Sequence, residues 1–232
     1  MFNLPTNHID MPEALSDITV LDCSQILAGP FCSMLLSDMG ANIIKVEKPS
    51  GGDDTRRFGP PFINDESAAF LAMNRNKRSI VVDFKNNHGV EIMKTLAKNS
   101  TVIIENYRTG VMDKLGLGYE DLKKINPKII YCSISGFGRT GPYAERGGFD
   151  LVAQGMSGLM SITGVPNSPP IKIGVPIADM NAGMFATYSI LTAYIHMLKS
   201  GEGQFLEVSL LESALAYTVW ESSSYFATKE IP

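Results

Sequence analysis

The sequence predicts an α/β fold, a Rossmann-like doubly wound sheet that is mainly parallel. Short apolar strand segments alternate with helical ones along the first 135 residues. The strand segments are continuously apolar, as strands covered on both faces must be. The helices between them have the roughly 10–15 residues that βαβ crossovers use.

The elements follow in order. "ITVLD" (18–22) is a short apolar strand, and "GPFCSMLLSDMG" (29–40) is a helix ended by glycine. "ANIIKVE" (41–47) is the second strand. After the Gly/Pro-rich loop "GGDDTRRFGPPF" (51–62), "ESAAFLAMN" (66–74) reads as helix and "SIVVD" (79–83) as strand. "HGVEIMKTLAKN" (88–99) is an amphipathic helix and "TVIIEN" (101–106) a strand. Two short helices, 111–116 and 119–126, precede the strand "PKIIYCSIS" (127–135). The chain then turns glycine-rich, "GFGRTGPYAERGGFD", before the helix "LVAQGMSGLM" (151–160). A Pro-rich connection (165–176) leads to the long apolar helix "PIADMNAGMFATYSILTAYIHML" (176–198). "SGEGQFLEVSL" (200–210) reads as turn plus strand, and 211–229 as one final helix.

The 232 residues could make one large domain or two small ones, and 44% hydrophobic residues suffice for a buried core. A net charge of −4 with 19% charged residues excludes a strong global field for nucleic acid or anionic lipid. Cys23, Cys32 and Cys132 form no CxxC pair, and an odd number argues against a disulfide framework. The N-terminal "MFNLPTNHIDMPEALSD" has acids, two prolines and no basic n-region, so neither a signal nor a transit peptide is expected there. The expected compartment is the cytoplasm. Residues 182–198 run uncharged for 17 positions, at the short edge of a membrane span. Their Ala, Thr, Ser, Tyr and Gly, with His196 near the end, predict a buried helix and no membrane partner.

Several chemistries lack their motif. The turn after the first strand, "CSQILAGPF", has one glycine and no GxGxxG, and no GxxxxGK[ST] occurs, so a nicotinamide cofactor is not supported. His8, His88 and His196 are scattered, with no HExxH or GxSxG near them, and metal ligation has no sequence support. Basic residues do gather around strand ends: Lys45, Lys48, Lys77, Arg78, Lys85 and Arg108. Ligands of open α/β sheets bind at carboxyl ends of strands, which puts Lys48, Lys85 and Arg108 where a phosphate-bearing ligand could be held; the other reading, favoured for any one of them taken singly, is solvated surface charge. Asp179, at the mouth of the long apolar helix, has two readings. It could cap the helix, an effect of about 1 kcal/mol, or it could be a carboxylate nucleophile toward an activated acyl group.

"LDCSQILAGPFCSMLLSDMGANIIKVEKPSGGDDTR", "NRNKRSIVVDFK", the run from "VIIENYRTG" to "GFDLVAQGMSGLM", and "ADMNAGM" resemble the class III CoA-transferase family. That family includes formyl-CoA:oxalate, carnitine and succinate–hydroxymethylglutarate CoA-transferases, with α-methylacyl-CoA racemase as a relative. The resemblance implies coenzyme A or acyl-CoA as substrate, with no permanently bound cofactor, and a small carboxylic acid, such as a dicarboxylate, as acceptor. It implies that Asp179 attacks the donor thioester to form an aspartyl–acyl anhydride, which becomes an aspartyl–CoA thioester. For coenzyme A it implies Leu27 and Ala28, where some members have Gln-Ala; Lys48, where Arg is frequent; and Val82, Asp83, Phe84 and Lys85 on the adenosine side. It further implies Asn106, Tyr107, Arg108 and Lys114, then Arg146, Gly147, Gly148 and Phe149 bordering the active site.

Phe149 separates the transferase from the racemase, whose "GHD" supplies a proton-transfer histidine where this chain has "GFD". The alternatives are thus a racemase-like enzyme or an inert CoA-binding fragment. Family chains are longer, so the expectation is an N-terminal portion of the family chain, incomplete relative to the family fold. Residues 1–200 would form the N-terminal part of a CoA-binding large domain, and 201–232 would begin the linker to a second domain absent here. The full-length partner would be a second copy, in an interlocked homodimer.

Overall fold

The computed structural model describes residues 13–232; His8 and most of the N-terminal segment read above lie outside them. The chain opens with β1 (Thr19–Asp22), α1 (Ala28–Asp38) and β2 (Asn42–Glu47). A two-stranded antiparallel ribbon, β3 (Phe62–Ile63) and β4 (Glu66–Ser67), precedes α2 (Ala68–Met73) and β5 (Lys77–Val81). Next come α3 (Asn87–Lys98), β6 (Val102–Glu105), α4 (Val111–Lys114), α5 (Tyr119–Ile125) and β7 (Ile130–Ser135). The remainder is α6 (Asp150–Met156), α7 (Ile177–Ser200), β8 (Phe205–Ser209), α8 (Leu210–Leu215) and α9 (Val219–Thr228).

Six strands form one parallel sheet in the order β5-β2-β1-β6-β7-β8. Counted along the chain, that is the 3-2-1-4-5-6 order of doubly wound dinucleotide-binding folds. The winding reverses between β1 and β6, so the loops leaving their carboxyl ends part and leave a crevice. The expected fold class is therefore the observed one.

Alternate residues of each strand serve opposite layers. Val20, Ile43, Ile104, Ile130 and Cys132 pack in one apolar core with α1 and α7, through Cys32, Leu36, Ala182 and Ile190. Leu21, Val46, Ile103 and Tyr131 pack in a second core with α3 and α5, through Met93, Ala97 and Leu122. Double-sided burial explains why these strands read as unbroken apolar runs. The long helix α7 buries its small face, Ala178, Ala182, Gly183, Ala186 and Ala193. No helix among the described residues is long and apolar enough to cross a membrane.

Some boundaries differ from the sequence reading. Glu66 and Ser67 pair as β4, and the Ser67 hydroxyl accepts the Phe70 N–H at 3.3 Å, so the helix starts only at Ala68. The third parallel strand is Lys77–Val81, earlier than the predicted 79–83, although the Val82 N–H still reaches the Glu47 carbonyl at 2.9 Å. The last helix is two: Thr218 Oγ1 donates back to the Leu215 carbonyl, and residues 216–218 tighten into a 3₁₀ turn between them. The expected division at residue 200 falls before β8, which supplies the sixth strand of the sheet.

Candidate active site

The β1–α1 turn forms one wall of the crevice. Its residue Ile26 has φ +71°, left-handed backbone that costs about 1–3 kcal/mol for a residue other than glycine. Side chains from outside the turn tie it down. Asn106, just after β6, accepts the Gln25 N–H at 2.9 Å and donates to the Gln25 carbonyl at 2.8 Å. The Asp53 carboxylate accepts the Ile26 N–H at 3.1 Å.

Under the turn lies a buried, charge-balanced cluster. Lys45 Nζ sits 2.8 Å from Asp53 and 4.0 Å from Asp22, and Lys77 Nζ sits 3.1 Å from Asp22. All four side chains are at most 2% exposed. Burial alone would push Asp22 up, but Lys45 and Lys77, together with hydrogen bonds from the Ser24 and Ser33 hydroxyls, outweigh it and hold the carboxyl well below the usual carboxylate range. Lys45 and Lys77, which the sequence placed among strand-end cations, are thus occupied inside the fold.

The opposite wall comes from the glycine-rich segment and α7. Gly136 after β7 and Gly148 before α6 cross backbone to backbone, and a Cβ on Gly148 would lie 2.2 Å from the Gly136 Cα. That crossing carries Arg146, Gly147 and Phe149 to the cleft rim. On α7, a Cβ on Gly183 would lie 2.7 Å from the Ala28 carbonyl oxygen, so the helix lies close against the start of α1. Asp179 is one turn earlier on the same face and comes into the crevice.

The resulting cleft has a volume of about 220 Å³, and its walls include Ile26, Leu27, Ala28, Asn106, Arg108 and Asp179. Asp179 does not cap its helix. Asp150 Oδ1, from the head of α6, accepts the N–H groups of Ala178 at 2.8 Å and Asp179 at 3.3 Å. Gln154 donates to the other oxygen of Asp150 at 2.6 Å. The Asp179 carboxylate accepts no hydrogen bond from the described residues. Burial, with the Asp150 charge adding to it, pushes its pKa up from 3.8 to about 7. A desolvated carboxylate without donors is a stronger base and nucleophile than a surface one.

A second cleft of about 310 Å³ adjoins the first, with Tyr107 lining both. Lys48, Val82, Asp83, Phe84 and Lys85 line it. Lys48 is paired there with Asp54 at 2.7 Å, and Lys85 is exposed. Two predicted groups thus separate in space: Lys48, Val82, Asp83, Phe84 and Lys85 in one cleft, and Leu27, Ala28, Asn106, Arg108, Arg146, Gly147, Gly148, Phe149 and Asp179 in the other. Lys114, exposed at the end of α4, lines neither, and neither do His88 and His196.

The sequence reading missed Ile26, Asp53 and Asp150. Asp150 carried a signal, an acid at a helix start with Gln154 four residues on. Ile26 carried none, because left-handed backbone is not foreseeable at a β-branched residue. Among the described residues no group of three or more His, Cys, Asp or Glu could hold a metal ion.

Fold and site together define an α/β protein with a half-buried carboxylate facing the crevice at the switch point of a doubly wound sheet. Residues 15–232 match CoA-transferase family III, and the chain belongs to that family. It is 46% identical over 221 residues to mouse succinyl-CoA:glutarate CoA-transferase, covering 95% of this chain and 51% of that protein. It is 45% identical over 232 residues to succinate–glutarate CoA-transferase of Agrobacterium fabrum, covering 96% of this chain and 58% of that protein. A crystal structure of a CaiB/BaiF family protein from Brucella suis superposes with TM-score 0.92 at 44% identity, covering 96% of this chain and 60% of that one. The chain spans about half the length of the mouse relative.

Proposed function

We propose that the protein, as part of a full-length family chain, moves coenzyme A from an acyl-CoA donor to a dicarboxylic acid acceptor, with Asp179 as nucleophile. The observation that carries this reading is the Asp179 carboxylate, which lines the cleft, accepts no hydrogen bond from the described residues and has its pKa raised by burial to about 7. An Asp179 oxygen attacks the thioester carbonyl carbon, the C–S bond breaks, and CoA leaves as thiolate. The thiolate attacks the aspartyl carbon of the resulting anhydride and releases the donor acid. The acceptor carboxylate then attacks the aspartyl thioester and frees the thiolate again. Attack of that thiolate on the acceptor's acyl carbon yields the new thioester and regenerates Asp179. Every step is covalent exchange at carbonyl carbon and asks for no metal or bound cofactor.

The paired clefts support an extended ligand, with the CoA nucleotide along Val82–Lys85 and the thioester end beside Asp179. The names of the mouse and Agrobacterium relatives support succinyl-CoA as donor and a glutarate-like acceptor. Phe149, 69% exposed on the rim, supplies no base for α-proton exchange, which favours transfer over racemisation. The length of the relatives supports a second domain beyond this chain, and we propose an interlocked homodimer for the complete protein.

The test is mass-spectrometric detection of new acyl-CoA, with the full-length protein, succinyl-CoA and a panel of carboxylic acids. Asp179→Ala is expected to lower transfer by about 10⁴-fold or more, with CoA still bound. Undiminished transfer by that variant, or α-deuterium exchange without transfer, would refute the proposal.

A further inference from the structure

Among the described residues with left-handed backbone other than glycine, Ile26 is the β-branched one. Its side chain is 42% exposed in the cleft, so core packing does not impose the conformation. The constraint comes from beneath. Asp53 is 1% exposed and fixed from several directions. Lys45 Nζ is 2.8 Å away, Thr55 donates its N–H at 2.9 Å and its hydroxyl at 2.8 Å, and the Asp53 N–H is held by Glu47 at 2.9 Å. Both carboxylate oxygens also lie within reach of the Ile26 N–H, at 3.1 and 3.3 Å. A buried carboxylate held this firmly can stabilise a backbone conformation that the residue itself disfavours. The two residues that follow, Leu27 and Ala28, line the cleft with Asp179, and the Ala28 carbonyl is the atom against which Gly183 of α7 closes.

We infer that Asp53 is a positioning residue for the transfer reaction, holding Ile26 in left-handed backbone and so fixing the Leu27–Ala28 wall of the cleft opposite Asp179. Asp53 touches no substrate; it acts through the turn. This role rests on the transferase reading above.

The experiment uses the full-length protein and varies backbone preference at one position. Ile26→Gly and Ile26→Pro delete the same side chain, but glycine accepts a positive φ and proline forbids it and removes the N–H. Ile26→Pro is expected to lose about 100-fold more kcat than Ile26→Gly, the scale of loss from a small misplacement at a reacting centre. Asp53→Ala, which leaves no acceptor for the Ile26 N–H, is expected to lower kcat at least about 10-fold, and Ile26→Gly in that background to restore part of it. A loss of core stability would not be repaired by a glycine in the cleft. Equal kcat for the glycine and proline variants, or no rescue, would overturn the inference. Crystal structures of the Asp53→Ala and double variants give a readout apart from activity: φ at residue 26 is expected to turn negative with isoleucine and stay positive with glycine. A positive φ in Asp53→Ala would overturn the role of Asp53. If Asp53→Ala does not fold, the Gly/Pro pair and their structures decide alone. Wild-type protein without Asp179-dependent transfer would refute the transferase reading instead, leaving φ at residue 26 to judge the turn.

Discussion

Asp150 binds the helix that carries Asp179 and also opposes the ionisation of Asp179. Its Oδ1 takes the Ala178 and Asp179 N–H groups at 2.8 and 3.3 Å. Those are donors that a capping residue of α7 would otherwise satisfy, and the N-cap position is Pro176, which has no side chain able to do so. With its helix capped by another residue, the Asp179 carboxylate keeps its oxygens for the cleft. Burial is the larger cause of its raised pKa and the Asp150 charge the smaller.

The two functions of Asp150 separate by substitution. Asn keeps an oxygen for the N–H groups and drops the charge, whereas Ala loses both. Transfer activity of the wild type should rise with pH through a midpoint near 7, as Asp179 ionises. Asp150→Asn should move that midpoint to lower pH, but not as far as an ordinary carboxylate, because burial remains. Asp150→Ala should in addition lose about 1 kcal/mol of stability, read by thermal unfolding. An unmoved pH profile in Asp150→Asn would show that the Asp150 charge has no influence on Asp179.

Asp179 itself should be a stability liability. Its folded pKa of about 7 lies above the ordinary 3.8, so the folded state holds the proton more tightly than the unfolded state does. Stability from this group is therefore full at low pH and falls as pH rises from about 4 to about 7. Asp179→Asn removes that fall and breaks no bond made by the carboxylate. After discounting for solvent at the half-buried site, the variant should gain on the order of 1–2 kcal/mol above pH 7. Near pH 4 it should gain almost nothing. Unfolding curves at both pH values decide this, and a destabilised variant at high pH would contradict the burial argument.

The sheet and the position of Asp179 were legible in the sequence for a local reason. Runs such as "TVLD" and "VIIE" announce strands, and an acid before a long uncharged helix stands out. The ends of elements were less legible, because they depend on partners. Whether Glu66–Ser67 pairs with Phe62–Ile63 or joins α2 is decided by a turn and not by composition. The supports of the site were hidden for the same reason. Asp53 and Ile26 are 27 positions apart and Asp150 and Asp179 are 29 apart. Lys45 and Lys77 read only as basic residues near strand ends, since nothing local tells that Asp22 and Asp53 already pair with them.

Gly183 links the packing of α7 to the chemistry one turn away. An added Cβ would sit 2.7 Å from the Ala28 carbonyl oxygen and 2.9 Å from the Phe31 ring, and the nearer of these is backbone that cannot swing aside. Gly183→Ala would otherwise favour the helix by about 1 kcal/mol, since glycine is the poorer helix former. The clash outweighs that gain, because α7 must retreat from α1 in a close-packed interior, at about 1–3 kcal/mol. The same retreat moves Asp179 away from the Leu27–Ala28 wall. The variant should therefore lose stability in thermal unfolding and lose kcat by about 10–100-fold, with KM for acyl-CoA changed little, because the Val82–Lys85 cleft lies away from this contact. A Gly183→Ala variant with raised stability and normal kcat would mean that α1 and α7 do not approach as closely as described.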